Sequence, residues 1–443
     1  MEKERIPKET ETIAVKRAVR LAEKIKRARE SIQKGRAWWS STIFETAALA
    51  LIFSLNVYLV LPFFGSSSYD TFFSGPVFPL LAKFIGLFGP PLSYAIQIVN
   101  IFFFLLFPIS LYFFVRYITG RKLVAVLVVL FASLPFYPFG HIRVNASLLG
   151  NDAAHIASLS IIPVALLGLI SFIHNGGMGN LIVAAFFSAL VALISPFGFM
   201  TYVILASIAA FSELLLGRGR IKIFRLLVTF LISGGLCSFW YNPAFFFWMI
   251  TGPMGVEIRN MVSRLIPVSF FTLPVLGAFG YLLFDRKPNL QPLFLASFFA
   301  IAFAIIAIAG GGIFPSHPGR YLSEFGISLA FLLSVVIVNV SDYLKFTQNP
   351  KLVKYKKGYL VNTGLLVVFL LLISLAILGK YSLARGSKVL GIWEGVDKGD
   401  IWEAKDKFGG APSVLGYTIS GVTIFGLGFL ASRTKKALPG DSY

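Results

Sequence analysis

The sequence predicts an all-α, polytopic transmembrane helical bundle of about 12 spans, and three observations carry that prediction. Apolar runs long enough to cross a hydrocarbon core of ~30 Å recur from Ile43 to Leu430. Of the 443 residues, 56% are hydrophobic and only 14% charged, against ~25% charge in soluble domains, and the mean hydropathy is +0.79. No polar stretch between the runs is long enough to fold alone, which predicts a cytoplasmic extension over 1–41 and one membrane domain over 42–443.

Charged residues and Gly/Pro breaks punctuate the runs into spans near 43–63, 92–117, 123–139, 153–173, 180–195, 197–216, 223–249, 265–284, 290–309, 321–342, 359–379 and 413–432. Antiparallel threading puts both tails and the loops after even-numbered spans on one side. That side carries 29 of the 40 Lys and Arg and the other 11, so the positive-inside rule makes it cytoplasmic. The weakest boundary is the loop from His174 to Asn180, which carries no Lys or Arg. The net charge of +20 is thereby explained by topology, with the lipid bilayer as partner and no nucleic acid.

The first element, before any span, is a basic amphipathic helix. Val15, Val19, Ala22, Ile25, Ala28 and Ile32 recur at near-helical spacing, with Glu23/Arg27 and Glu30/Lys34 as i,i+4 pairs. It suits an anionic cytoplasmic leaflet, with docking to a protein partner as the alternative, and Trp38 and Trp39 then mark the interface. The tail has no apolar core of a signal peptide, so the first span serves as anchor. The single cysteine, Cys237, sits in an apolar run and excludes a disulfide framework within one chain.

Ionisable residues in or beside spans cost ~2.5–3.5 kcal/mol each at the bilayer centre, which makes them functional candidates. They gather on the outer face. The first outer loop holds Asp70; the second holds His141, Arg143, Asn151, Asp152 and His155, with Asp152 and His155 sharing one helical face at the start of the fourth span. Glu257, Arg259 and Arg264 lie between the seventh and eighth spans, and His317, Arg320 and Glu324 lead into the tenth. Structural readings stand beside these: Asp152 as a helix cap, Arg320/Glu324 as an i,i+4 surface ion pair, Asp70 as a solvated turn residue, His155 as a bundle histidine and His317 as a loop residue.

Three local features shape that face. The apolar segment from Pro76 to Gly89 has only 14 residues, too few to span, and predicts an interfacial or re-entrant helix over Asp70. Trp240-Tyr241-Asn242-Pro243 interrupts the seventh span, where proline removes a backbone hydrogen bond that asparagine can replace. Gly310-Gly311-Gly312, then Pro315 and Pro318, predict a non-helical loop before Arg320.

On these residues the chain resembles the GT-C class of membrane glycosyltransferases, which take sugars from polyprenyl-phosphate donors on the outer face. The resemblance is one of architecture over most of the chain. Asp70 and the stretch from Phe72 to Gly89 stand where that class has an acidic first loop and interfacial helices; Ser238 to Pro243 resembles its aromatic-proline break and Pro315 to Leu322 its arginine-bearing loop. Many members carry two first-loop acids, whereas here only Asp70 is present, and the outer segment 380–412 replaces a large outer domain. That segment, with Trp393, Glu394, Asp397, Asp400, Trp402, Glu403 and Asp406, reads either as a small acceptor lid or as a solvated stretch.

The resemblance implies a mechanism. Asp70 takes the acceptor proton, Arg320 with Arg259 or Arg264 neutralises the leaving phosphate, and Asp152 and His155 orient Asp70 or hold a divalent metal ion. Glu257, His317 and Glu324 complete the substrate-binding set. The alternatives are a transporter or flippase for an anionic lipid or solute, and a non-catalytic assembly subunit with a fixed protein partner. No phosphate-binding Gly-rich loop, HExxH or Gly-x-Ser-x-Gly motif is present, which argues against an ATP-driven pump, a zincin and a serine hydrolase. Asn145-Ala146-Ser147 forms a glycosylation sequon on the outer face.

Overall fold

A computed structural model describes residues 42–64, 75–148, 152–216, 221–251, 290–313, 321–346 and 411–436, and every regular element among them is helical. In order these are α1 (Thr42–Val60), α2 (Val77–Gly86), α3 (Leu92–Thr119), α4 (Lys122–Ser133), α5 (Gly140–Leu148), α6 (Ala153–Asn175), α7 (Met178–Ile194), α8 (Pro196–Leu216), α9 (Ile221–Cys237), α10 (Pro243–Thr251), α11 (Gln291–Ile313), α12 (Leu322–Phe346) and α13 (Ala411–Lys436), with a 3-10 turn at Leu61–Phe63. Six described helices, α1, α3, α6, α8, α12 and α13, are long and apolar enough to cross a membrane; α2, α4, α7, α9 and α11 supply shorter apolar stretches. The amphipathic tail, the spans near 265–284 and 359–379, and residues 380–410 of the segment 380–412 lie outside the described residues.

Residues 1–51 and 52–443 form two units by internal contacts, so α1 crosses from the first into the second. Within the second unit α6 is the hub. Its apolar window is 83% buried, against 11% for α13, because α3, α5, α7, α8 and α9 all pack on it. Small residues permit the close approaches: a side chain at Gly168 would strike the backbone of Ala184 in α7, and one at Gly198 the Ser158 hydroxyl.

α2 is short and apolar, as the sequence predicts. Phe78 and Ala82 are buried, Phe78 stacking on Phe103 of α3 at 6.2 Å, while Leu80, Phe84, Leu87 and Phe88 are exposed. An apolar outer face on a helix too short to span belongs at the lipid boundary.

The expected third span is shorter than 123–139. α4 stops at Ser133, because Pro135 disfavours helical backbone at Leu134, whose φ and ψ are −66° and 131°. The chain turns through 134–139 and re-forms as α5, so His141 and Arg143 sit on a helix and not in a loop.

The break in the seventh span forms as expected, between α9 and α10. Asn242 Oδ1 accepts the Phe245 N–H at 2.8 Å and so caps α10. In an unbroken helix the Phe239 N–H would donate to the Gly235 carbonyl. Here the Ser420 hydroxyl of α13 stands between them, accepting from Phe239 N–H and donating to Gly235 O, each at 2.9 Å. Gly416, one turn away, lies against the Ser238 carbonyl with no room for a side chain.

One end of the bundle collects the basic residues. Arg121 pairs with Asp342 at 3.1 Å, and His174 with Glu213 at 2.5 Å, where Gln291 also donates. The His174–Asn180 loop, which lacks basic residues of its own, borrows one: Arg225 of α9 donates to the carbonyls of Phe172 and Ile173 at 3.1 and 2.7 Å, the negative end of α6.

The Ser420 bridge makes α13 dependent on one hydroxyl. Ser420→Ala should destabilise the detergent-solubilised protein by about 1–3 kcal/mol by leaving the half-buried Phe239 N–H unmet, and Gly416→Val by a similar amount through overpacking. Thermal unfolding of the two variants beside wild type checks this, and unchanged midpoints would mean α13 is not seated on the break.

Candidate functional site

The opposite end of the bundle holds a second set of buried polar groups. α6 and α12 both begin there, and each brings an ionisable side chain inward on its first turn, His155 and Glu324, fully and 97% buried respectively. His155 Nε2 lies 2.9 Å from Glu324 Oε1, and the Thr201 hydroxyl on α8 donates to the same oxygen at 2.7 Å. The histidine contact is an ion-pair approach and not an aligned hydrogen bond: both His155 nitrogens and Glu324 Oε2 are buried without a hydrogen-bond partner. The edge of the His155 ring meets Tyr321 at 5.9 Å. Three helices thus converge on one carboxylate, and its second oxygen has capacity left for a proton, a water or a ligand.

Asp152, next to α6, is fully buried. It occupies the position before the helix but makes no side-chain cap; its N–H donates to Ala146 O at 3.0 Å and its carbonyl accepts from Ile156 N–H at 3.1 Å. The carboxyl group is therefore not spent on capping. Among the described residues no three His, Cys, Asp or Glu come together to hold a metal, so Asp152, His155 and Glu324 do not by themselves make a metal centre.

A narrow crevice runs inward from Glu324 and Thr201, lined by Phe107, Leu111, Leu166, Phe303 and Phe331 among others. From Glu324 to Phe331 it descends seven residues of α12, about 10 Å at 1.5 Å per residue, through apolar side chains. Its room, about 50 Å³, suits one or two water-sized occupants and not a lipid chain.

Behind Phe107 lies a second polar group that sequence reasoning placed in a loop. Arg143 of α5 is 1% exposed, its guanidinium carbon 4.0 and 4.5 Å from the ring centres of Phe104 and Phe107. It donates to Phe104 O at 3.2 Å and to Asn56 Oδ1 at 2.5 Å. Asn56 is oriented by its own donations, to Ile52 O at 2.8 Å and Ser133 Oγ at 3.0 Å. Desolvation pulls the Arg143 pKa from 12.5 down to about 9, which leaves it cationic at neutral pH.

Of the expected site residues, Asp152, His155 and Glu324 are present at this end, and the last two touch. Asp70, Glu257, Arg259, Arg264, His317 and Arg320 lie outside the described residues. The flanks of the Asp70 loop are described. On one side Val60 packs with Phe104, Val144 and Leu148; on the other Gly75 lies against the carbonyls of Leu193 and Ile194, with no room for a side chain. Thr201, Tyr321 and Asn56 escaped sequence reasoning; a single polar residue inside an apolar run, as at Asn56, was the available signal.

The sequon is closed by the fold at its serine, while Asn145 is half-buried. Ser147 is fully buried and donates to Asn100 Oδ1 at 2.8 Å, while Asn145 approaches His141 at 2.9 Å on the same helix. Expressed in a glycosylating host, the protein should run at the same mobility before and after glycosidase, and Asn145→Gln should change nothing; a glycosidase-sensitive shift lost in that variant would contradict the buried α5. For the buried pair, His155→Ala should lower stability by about 3–5 kcal/mol, since it leaves Glu324 buried beside a void, as thermal unfolding would show. No protein-family model matches the chain, and neither the curated proteins nor the solved structures contain a match to it.

Proposed function

We propose that this chain is a GT-C-like membrane glycosyltransferase of about 12 spans, its basic end cytoplasmic, moving a sugar from a polyprenyl-phosphate donor to an acceptor on the outer face. The observation that carries the reading is the buried His155–Glu324 contact, shared with Thr201, at the end of the bundle where both flanks of the Asp70 loop are anchored. The exposed apolar face of α2 at the same end supports a lipid-linked substrate lying outside the bundle, since the inner crevice is too small for its chain. A transporter needs polar groups through the midplane, whereas the described crevice lining is apolar below Glu324, Thr201 and Ser328.

In this mechanism the acceptor hydroxyl oxygen attacks the anomeric carbon as the bond to the donor phosphate breaks. Asp70 receives the hydroxyl proton, and Arg320 with Arg259 or Arg264 holds the departing phosphate. Glu324 takes a different part from direct substrate binding: with one oxygen engaged by Thr201 and His155, it fixes the imidazole, and Asp152 and His155 position the reacting groups.

Sugar transfer from radiolabelled polyprenyl-phosphate sugars, measured in membranes containing the protein, tests the proposal. Asp70→Asn should reduce transfer by about 10²-fold or more, the usual contribution of a general base, and Glu324→Gln by less. Wild-type membranes that transfer nothing above control would remove the transferase reading, and undiminished transfer by Asp70→Asn would remove the base.

A further inference from the structure

We infer that the cavity between the α3–α4 turn, the start of α11 and the last turns of α12 is a binding site for a small carboxylate with an aliphatic body, and that Arg121 takes the carboxylate. The site lies at the basic end, and binding there is independent of sugar transfer. Asn339, on its lining, stands fifteen residues of α12 beyond Glu324, about 22 Å at 1.5 Å per residue.

The cavity holds about 350 Å³, within the ~300–1,000 Å³ usual for small-molecule sites and far above the 50 Å³ of the crevice beside Glu324. Its lining is of two kinds. Ile118 of α3, Val124 of α4, Leu293 of α11 and Val335 of α12 bring aliphatic surface from four helices, and no aromatic ring is among the lining residues. Arg121 and Asn339 open hydrogen-bonding groups on the same space. Aliphatic walls with a few convergent donors suit a ligand that carries its acceptors at one end.

The guanidinium is held in place before any ligand arrives. Gly120, with φ at 63°, closes α3 by donating to Arg116 O at 2.9 Å, and the Thr119 hydroxyl accepts the Arg121 N–H at 3.2 Å. From α12, Asn339 Oδ1 accepts from Arg121 Nη1 at 3.1 Å, and Asp342 Oδ2 stands 3.1 Å from the same nitrogen. Both contacts use Nη1; Nε and Nη2 have no partner among the described residues. Those two nitrogens form the guanidinium edge that meets both oxygens of a carboxylate in parallel. Asp342 is the competitor for the charge, but the two side chains are 47% and 42% exposed, and an ion pair so open to solvent holds its partners weakly. Arg116 and Lys122 flank the turn and add to the positive potential there, which favours an anion over a neutral ligand.

The two members of the ion pair then act in opposite directions, which separates a ligand site from a surface contact. Hexanoate is the probe, hexanol the neutral control and acetate the control without a chain, each titrated by calorimetry into the full chain in maltoside micelles. Wild type should bind hexanoate saturably and at least about tenfold more tightly than either control. Arg121→Gln should weaken hexanoate at least about tenfold, whereas Asp342→Asn, which removes the competing anion, should tighten it about threefold. Both variants should melt close to wild type, since the pair they break is half-exposed, and this shows that they fold. Hexanoate bound equally by wild type and Arg121→Gln, weakened by Asp342→Asn, matched by acetate or hexanol, or bound by none of the proteins, would overturn the inference and leave Arg121 and Asp342 a surface ion pair.

Discussion

A polar atom carried into hydrocarbon has to be met by another atom of the protein, since no bulk water is there to meet it. The described part of this chain is organised around that requirement. Polar side chains collect at the two ends of the bundle, and the crevice between them is walled by Leu, Ile and Phe. Where a group must lie deeper, a neighbouring helix reaches it: Ser160 donates to Phe103 O at 2.6 Å and Ser233 to Ala185 O at 3.1 Å. Helix pairing and polar satisfaction are here one and the same set of contacts.

The hub position of α6 follows from its composition. With Ala, Ser and Gly interspersed among larger apolar residues, it lets five helices approach closely, and in doing so it brings His155 against α12 and α8. The peripheral α13 has the opposite character, exposing Leu415, Tyr417, Val422 and Phe425 to its surroundings. A functional group on α6 is held by packing from every side, whereas one on α13 could not be.

Much of this architecture was legible in the sequence, because hydropathy and proline positions act locally. The short apolar α2, the broken α9/α10 pair with Asn242 as its cap, and the heads of α6 and α12 all follow from short-range rules. The third span was read as too long because apolar character continues past Ser133 while Pro135 ends the helix. The site was less legible. Spacing within one helix offered Glu324 only Arg320, which lies outside the described residues, whereas its described partners Thr201 and His155 are 123 and 169 positions distant in sequence. Likewise Arg143 and Asn56 meet across 87 positions. Such pairings depend on which helices pack together, and periodicity within one helix carries no information about that.

The Ser420 hydroxyl also has a meaning for the order in which the membrane domain is completed. It closes a gap in backbone bonding that opens at Gly235 and Phe239, 185 and 181 residues earlier in the chain. Until α13 enters the bilayer, a newly made protein carries an unanswered Phe239 N–H on its flank, the Gly235 carbonyl keeping only the longer bond from Ser238 N–H at 3.3 Å. α13 thus acts as a latch on the α9/α10 break, and a chain lacking it would leave that N–H without its partner.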